Sequence, residues 1–86
     1  MRVDFHKHFD KQYKKLSDTQ KSKFKLRLAV FVEDRYDVIL NNHALKGDYN
    51  GYRSINVAGD LRAIYIEHST AHIEFTYIGS HSQLYG

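Results

Sequence analysis

The chain has 86 residues, of which 42% are hydrophobic and 14% aromatic, and its formal net charge is +3 at pH 7. This length suits one domain over residues 1–86, and the composition is too apolar for a disordered chain. Cysteine is absent, which excludes disulfides and thiolate metal sites. No apolar run reaches about 18 residues, so we expect a cytoplasmic protein with no signal peptide and no membrane contact.

Positive charge is concentrated near the start of the chain. Residues 7–27 hold eight Lys and Arg against two Asp, whereas residues 44–86 hold three Lys and Arg against four Asp and Glu. A basic segment of this kind indicates a polyanionic partner such as nucleic acid, but a solvated helical face produces the same pattern. Charge alone leaves both interpretations open.

The first half of the chain predicts a short strand followed by two helices. Residues 2–6 alternate as an edge strand does, and the next ten or so residues carry apolar side chains at helical spacing. Ser17 then breaks the first helix and supplies the N-cap of the second. The second helix is predicted to reach Leu40, with an apolar stripe formed by Phe24, Leu28, Phe31, Val32, Tyr36 and Ile39.

The second half predicts an antiparallel sheet. Residues 41–51 contain two glycines and are typical of a loop. In the last predicted strand, alternation places Ile73, Phe75 and Tyr77 on one face. Helices first and antiparallel strands last define an α+β fold, in which a short strand and a helix pair pack on a C-terminal meander. The three strands of that meander are predicted at about 52–57, 60–67 and 71–78.

A meander of three strands brings several polar side chains to one end of the sheet. The first strand ends there, the second begins there and the third ends there, which places Asn56, Asp60 and His81 together. Arg62 follows Asp60 by two residues, so we expect both on one face. The loop that carries His43 is long enough to return to the same end, although the spacing does not force it to.

These side chains suit cleavage of an RNA phosphodiester without a metal ion. A base removes the proton of the ribose 2′-OH, cations stabilise the charge on phosphate, and an acid protonates the leaving oxygen. Histidine titrates near neutrality and can serve as the base or the acid. Each residue also has a structural interpretation, since Asp60 suits a turn and an arginine beside it suits a solvated ion pair.

Four segments of the second half keep a characteristic spacing. They are H-A-L-K-G at 43–47, G-Y-R at 51–53, Asp60, and G-S-H-S-Q-L-Y at 79–85. In this combination residues 43–86 resemble the C-terminal half of YafQ-type toxins, within the RelE/ParE superfamily of toxin–antitoxin proteins. The helical half is similar in layout but carries no diagnostic motif.

The resemblance implies a RelE-like fold and a ribosome-dependent mRNA interferase, an endoribonuclease that cuts mRNA in the ribosomal A site. It implies neither a metal nor a cofactor. The partners it implies are mRNA on the ribosome with contacts to 16S rRNA, a cognate antitoxin protein, and operator DNA that is bound only through the toxin–antitoxin complex.

The resemblance also assigns roles to individual residues. His43, Asp60 and His81 match functional positions of YafQ-like toxins. His81 is the implied general acid, and either His43 or Asp60 is the implied base. Residues expected to bind RNA or its phosphates are Lys46, Arg53, Arg62 and Tyr85. The positive charge of the helices, and not a family motif, leads us to expect that Lys11, Lys14, Lys15, Lys21 and Lys25 anchor the protein on ribosomal RNA.

Two positions depart from the family pattern. YafQ-like toxins often carry a further His where this chain has Asn56, and a Pro where it has Gly59. An amide can donate a hydrogen bond but cannot shuttle a proton, so one titrating group is missing. We therefore expect slower catalysis, or catalysis that depends more on cations.

Two other functions remain open from the sequence. ParE-like toxins share the fold and inhibit DNA gyrase by binding, but they lack the His-rich edge that His43 and His81 provide here. A basic RNA-binding module without catalysis would bind through its helical lysines and would not depend on His81.

Overall fold

The computed structural model describes residues 1–85, which form one mixed sheet and a set of short and long helices. This arrangement confirms the predicted α+β class. Two 3₁₀ turns, Val38–Leu40 and Gly47–Tyr49, lie in the connections. In chain order the other elements are β1 (Arg2–Phe5), α1 (Lys7–Lys14), α2 (Asp18–Glu33), β2 (His43–Ala44), β3 (Arg53–Ala58), β4 (Leu61–Ser69), β5 (His72–Ser80) and α3 (His81–Tyr85).

The strands lie in the order β1-β5-β4-β3-β2. β3, β4 and β5 pair antiparallel with their chain neighbours and form the predicted meander. β1 is an edge strand, as predicted, and it pairs parallel with β5, so that Arg2 lies opposite His72. The opposite edge is formed by β2, a two-residue strand inside the segment predicted to be a loop.

Helix α2 begins where the sequence predicts and ends earlier. Its N-terminus is a capping box, in which Ser17 Oγ accepts from Gln20 N at 3.1 Å and Gln20 Oε1 accepts from Ser17 N at 3.0 Å. The prediction that the helix reaches Leu40 is wrong. Within residues 1–85, no helix is long and apolar enough to cross a membrane.

Two aspartates explain the early end of α2. Asp34 has an extended backbone, and its carboxylate accepts from Tyr36 N at 3.0 Å; the carboxylate of Asp37 accepts from Ile39 N at the same distance. Such local side-chain bonds compete with the helical hydrogen bonds. The predicted apolar stripe consequently fails in its second half, where Tyr36 is 59% exposed.

The core fills the space between the helices and one face of the sheet. Phe75 lies at its centre, with ring centroids 5.6 Å from Phe24 and 5.4 Å from Phe31 in edge-on arrangements that favour aromatic packing. The buried residues of this cluster are Phe9, Phe24, Phe31, Leu40, Ile55, Val57, Leu61, Ala63, Tyr65, Ile73, Phe75 and Ile78.

A register shift in β5 changes which side chains face the core. Tyr77 lies opposite Ile64, but Phe75 lies opposite Tyr65, so β5 holds one extra residue between these pairs. After the shift Ile78 is buried in the core and Tyr77 is only half-buried. The prediction that Tyr77 shares a face with Ile73 and Phe75 is therefore wrong.

The second face of the sheet carries a smaller packed layer. Ile64 is fully buried but does not belong to the core cluster, and Tyr77 lies opposite it on this face. The ring of Tyr49 lies 5.6 Å from that of Tyr77 and 5.6 Å from that of Tyr85, and Tyr52 lies 6.3 Å from both Tyr49 and Tyr77. These four tyrosines, the tyrosine layer, cover the sheet where the helices do not.

Candidate active site

Three strand ends meet at one end of the sheet, as the meander predicts. Ala58 of β3 pairs with Leu61 of β4, and Leu61 pairs with Ser80 of β5. The backbone N–H of His81 donates to the carbonyl oxygen of Asp60 at 3.0 Å. This bond joins the turn before β4 to the first residue of α3.

A cavity of about 320 Å³, which we call the histidine cavity, opens at this end. Its lining contains two imidazoles, a guanidinium and a phenol ring, and so brings together four of the residues singled out in the sequence. The lining residues are Asn41, His43, Leu45, Ser54, Arg62, His81 and Tyr85.

β2 places His43 in the histidine cavity. His43 pairs with Ser54 of the longer strand β3, which brings the connecting segment back to the sheet. Its Nδ1 lies 2.9 Å from the carbonyl oxygen of Asn41. Because a carbonyl oxygen can only accept, Nδ1 carries the proton of the neutral ring and Nε2 keeps a lone pair. That tautomer can act as a base.

Helix α3 holds His81. Ser80 N donates to Gln83 Oε1 at 2.8 Å and Gln83 N donates to Ser80 Oγ at 3.1 Å, which is a second capping box. Leu84 is buried, and its carbonyl oxygen accepts from the hydroxyl of Tyr49 at 2.8 Å. The helix is thus fixed at both ends, and the imidazole of His81 lies 4.7 Å from the ring of Tyr85.

Arg62 supplies the cation of the cavity. Its Nη1 donates to the carbonyl oxygen of Gly59 at 2.8 Å. Gly59 has a φ of 53°, a conformation that glycine adopts without strain and that turns this carbonyl towards the arginine side chain. A guanidinium has five N–H donors, so others remain for a phosphate group.

Comparison with known proteins decides the family. A profile described as the bacterial toxin of type II toxin–antitoxin systems, YafQ, matches residues 1–86. The chain belongs to this family. No curated protein sequence matches it significantly.

Solved structures of YafQ-family and related toxins share the fold. A YafQ structure from E. coli is 22% identical, with a TM-score of 0.79 and 100% coverage of both chains. The E. coli DinJ–YafQ toxin–antitoxin complex gives the same identity and TM-score, over 98% of this chain and 96% of that one. A YoeB/ParE toxin from Agrobacterium tumefaciens is 19% identical, with a TM-score of 0.76 over 94% and 99% of the two chains.

Asp60 is separated from the histidine cavity in this YafQ-family chain. It lines a different cavity of about 400 Å³ on the helical side, together with Lys15, the residue that follows α1. The expectation that Asp60 and Arg62 share one face is wrong, because Asp60 belongs to the turn and the alternation of side chains begins only with β4. The hydrogen bond between Asp60 and His81 joins their backbones.

The other two predicted RNA-binding residues, Lys46 and Arg53, do not line the histidine cavity. Lys46 lines the neighbouring cavity, which shares Tyr85 with it. Arg53 faces away, because its Nε donates to Asn42 Oδ1 at 2.8 Å and its guanidinium lies 5.4 Å from the ring of Tyr36.

The predicted anchoring lysines lie on α1, α2 and the link between them. Four of them are exposed, and the fifth, Lys21, lies 5.8 Å above the ring of Tyr13. Those that are exposed are Lys11, Lys14, Lys15 and Lys25. Over the part of the chain that the structure describes, no three His, Asp or Glu side chains are grouped so as to hold a metal ion.

Several contributors to the site were missed in the sequence. Asn41 and Ser54 carry no signal, because neither residue type is specific for a cavity wall. Helix α3 has one, since Ser80 and Gln83 stand at the spacing of a capping box. Tyr49 lies in the segment predicted to be a loop, and the sequence does not indicate its contacts with Leu84 and Tyr85 of α3.

Proposed function

We propose that this toxin is a ribosome-dependent endoribonuclease that cleaves mRNA in the A site by metal-independent general acid–base catalysis. The observation that carries the proposal is the histidine cavity, where His43, His81 and Arg62 meet. Two imidazoles and a guanidinium supply the base, the acid and the cation that cleavage next to a ribose 2′-OH requires.

The reaction follows from these three groups. His43 Nε2 takes the proton of the 2′-OH, and the 2′-oxygen attacks the neighbouring phosphorus. The bond from phosphorus to the 5′-oxygen of the next nucleotide breaks, and that oxygen takes a proton from the imidazolium of His81. Arg62 stabilises the charge on the phosphate oxygens. The products are a 2′,3′-cyclic phosphate and a 5′-OH.

His43 is the better candidate for the base than Asp60. The hydrogen bond to Asn41 favours the tautomer of His43 with a free Nε2, and the ring shares a cavity with His81. Asp60 lines a different cavity, and its carbonyl oxygen holds the backbone of His81. We therefore assign the backbone carbonyl of Asp60 a role in positioning His81.

The partners follow from family membership and charge. YafQ of E. coli forms a complex with the antitoxin DinJ, and we infer that this toxin has a cognate antitoxin protein that neutralises it in the cytoplasm. We further infer that mRNA is reached on the ribosome through contacts to 16S rRNA, and that operator DNA is bound only through the antitoxin complex.

The test of this function is the loss of His81. His81 is exposed, so replacing it leaves the core unchanged. General acid catalysis contributes about 10²–10⁴-fold in rate, and we expect His81→Ala to slow mRNA cleavage at least about a hundredfold. The measurement is the single-turnover rate on programmed ribosomes with the toxin saturating, so that binding does not limit it.

His68→Ala is the matched control. His68 is an exposed histidine on the hairpin between β4 and β5, and it does not line the histidine cavity. Its Nε2 lies 3.0 Å from Glu74 Oε1. Its loss should leave the rate within about threefold of the parent, as for an ordinary surface substitution. Equal rates for His81→Ala and His68→Ala would remove His81 from the mechanism. Growth arrest without any cleavage would favour an inhibitor that acts by binding alone.

A further inference from the structure

A second cavity adjoins the histidine cavity. It has a volume of about 370 Å³ and shares Tyr85 with the histidine cavity. We call it the tyrosine cavity. Its lining residues are Lys46, Asp48, Tyr49, Leu84 and Tyr85.

The aromatic wall of this cavity is held rigidly. The rings of Tyr49 and Tyr85 lie 5.6 Å apart at 84°, and the Tyr49 hydroxyl is bonded to the Leu84 carbonyl oxygen. Tyr85 is 37% exposed, so a flat molecule can reach its ring. Rigid, reachable aromatic rings are the surfaces on which proteins stack single-stranded RNA bases.

Two opposite charges line the same cavity. Lys46 and Asp48 are both exposed, on either side of Gly47. Burial raises the pKa of the Tyr49 hydroxyl, and Asp48, the residue before Tyr49, lines the same cavity as its ring. If the tyrosine layer only covered the sheet, it would not need Lys46 and Asp48 beside it. A nucleotide uses all three features, because its base stacks, its phosphate binds a cation and its base edge forms hydrogen bonds.

We propose that the tyrosine cavity is a subsite for the nucleotide next to the cleaved phosphate and that it selects guanine. The base stacks on the ring of Tyr85, the ring of Tyr49 stands at right angles beside it, and Lys46 binds the phosphate. This inference rests on the proposed function for the identity of the substrate, single-stranded mRNA.

Guanine follows from the chemistry of Asp48. A carboxylate only accepts hydrogen bonds and has two oxygens side by side. Guanine offers two adjacent donors on its Watson–Crick edge, the ring N1–H and the exocyclic amine. Adenine and cytosine place an acceptor beside their amine, and uracil places its single N–H between two carbonyls. Only guanine therefore satisfies both oxygens of Asp48 without a repelling acceptor.

The test is an NMR titration of the ¹⁵N-labelled full chain. The probes are single-stranded RNA trinucleotides that differ only in one base and carry 2′-O-methyl groups, which prevent cleavage. We expect the amide signals of residues 46–49 and of Tyr85 to shift. The guanine probe should bind about tenfold more tightly than the adenine probe, which is typical of a two-bond base contact.

Two variant pairs separate recognition from folding. Asp48→Asn should abolish the preference for guanine over adenine, whereas Glu33→Gln, an exposed carboxylate at the end of α2, should leave it unchanged. Tyr49→Leu should bind about tenfold more weakly than Tyr49→Phe, which also loses the bond to Leu84 but keeps the ring against which Tyr85, the stacking surface, packs. Equal binding of the four probes, shifts confined to other residues, or no binding would overturn the proposal.

Cleavage on programmed ribosomes is read out separately. Guanine-selective shifts without cleavage would remove the proposed nuclease function and leave the subsite. Cleavage whose rate is the same for every base next to the cut, and is unchanged in Asp48→Asn, would remove the subsite and leave the nuclease.

Discussion

One amide side chain joins three parts of the structure beside the site. Asn42 Nδ2 donates to the hydroxyl of Tyr65 at 2.7 Å and to the carbonyl oxygen of Arg35 at 2.8 Å, while its Oδ1 accepts from Arg53. Tyr65 is fully buried, and burial raises the pKa of its hydroxyl, so the hydroxyl stays neutral and needs this partner. His43 is the next residue, and its position depends on that network.

Asn42→Ala should therefore destabilise the fold. The substitution leaves the buried Tyr65 hydroxyl without its partner, which we expect to lower the free energy of unfolding by about 2 kcal/mol. Urea denaturation measures this loss, with an unchanged dependence on denaturant. Asn50→Ala is the control, because Asn50 is exposed. Equal stability of the two variants would contradict the structural role of Asn42.

The position of a site residue was predictable from the sequence wherever the connections between strands alone determine it. The antiparallel connections bring His81 and the start of β4 together, and Arg62 lies there as expected. Asp60 could not be placed, since the side-chain direction of a turn residue depends on backbone angles that the residue type does not determine. His43 needed the pairing of β2, which is too short to show an alternating pattern.

Among the helices and strands, α3 matters most for catalysis, because it carries His81, the proposed general acid. The helix is only five residues long and relies on the capping box of Ser80 and Gln83 and on the buried Leu84. Gly79 lies directly beneath it, because a Cβ built there would be 3.1 Å from Gln83 Oε1. Such a short helix does not form without these tertiary contacts.

Gln83→Ala should reduce cleavage without unfolding the protein. Loss of the box lets α3 fray and displaces His81, and a misplacement of about 1 Å can cost up to a hundredfold in rate; we expect about tenfold. The single-turnover rate at saturation should fall while ribosome affinity and Tm stay near those of the parent.

Gln83→Glu provides the control for that displacement. Glutamate also completes a capping box, so this variant should recover most of the lost rate. Equal losses in Gln83→Ala and Gln83→Glu would indicate that the amide itself has another role and that capping does not position His81.

Element boundaries were predictable where caps and periodicity agree. The start of α2 follows from Ser17, which acts as the sequence indicates. The end of α2 was missed because apolar residues continue at helical spacing through Ile39, while the aspartates at 34 and 37 redirect the backbone. The extra residue in β5 has no sequence signature, because its effect depends on the pairing with β4.

At the scale of the whole molecule, the basic helices and the histidine cavity form separate surfaces. The predicted anchoring lysines lie on α1, α2 and the link between them, whereas the histidine cavity is lined mainly by residues of β2, β3, β4 and α3. Lys15 shares a cavity with Asp60 on the helical side, and neither residue lines the histidine cavity. This separation allows binding and chemistry to be changed independently.

Reversing four of these lysines to Glu should weaken ribosome binding and leave the chemical step intact. The variant carries Glu at positions 14, 15, 21 and 25. Each lost phosphate contact reduces the slope of log affinity against log salt by about 0.7–0.9, so four contacts account for a change of roughly three. Sedimentation with ribosomes at several salt concentrations measures the slope. An unchanged slope would show that these lysines do not contact phosphate.

The parallel pairing of β1 with β5 sets an order of events during synthesis. β1 leaves the ribosome first, but its pairing partner β5 is made much later. His72, which lies opposite Arg2, follows it by some seventy residues. Until β5 exists, the core lacks Phe75 and Ile78, and α3 with His81 follows later still. Domains fold as units, so the nascent chain has no assembled cavity while these residues are unmade. Under the proposed function, a ribosome is therefore spared by the toxin it is still translating.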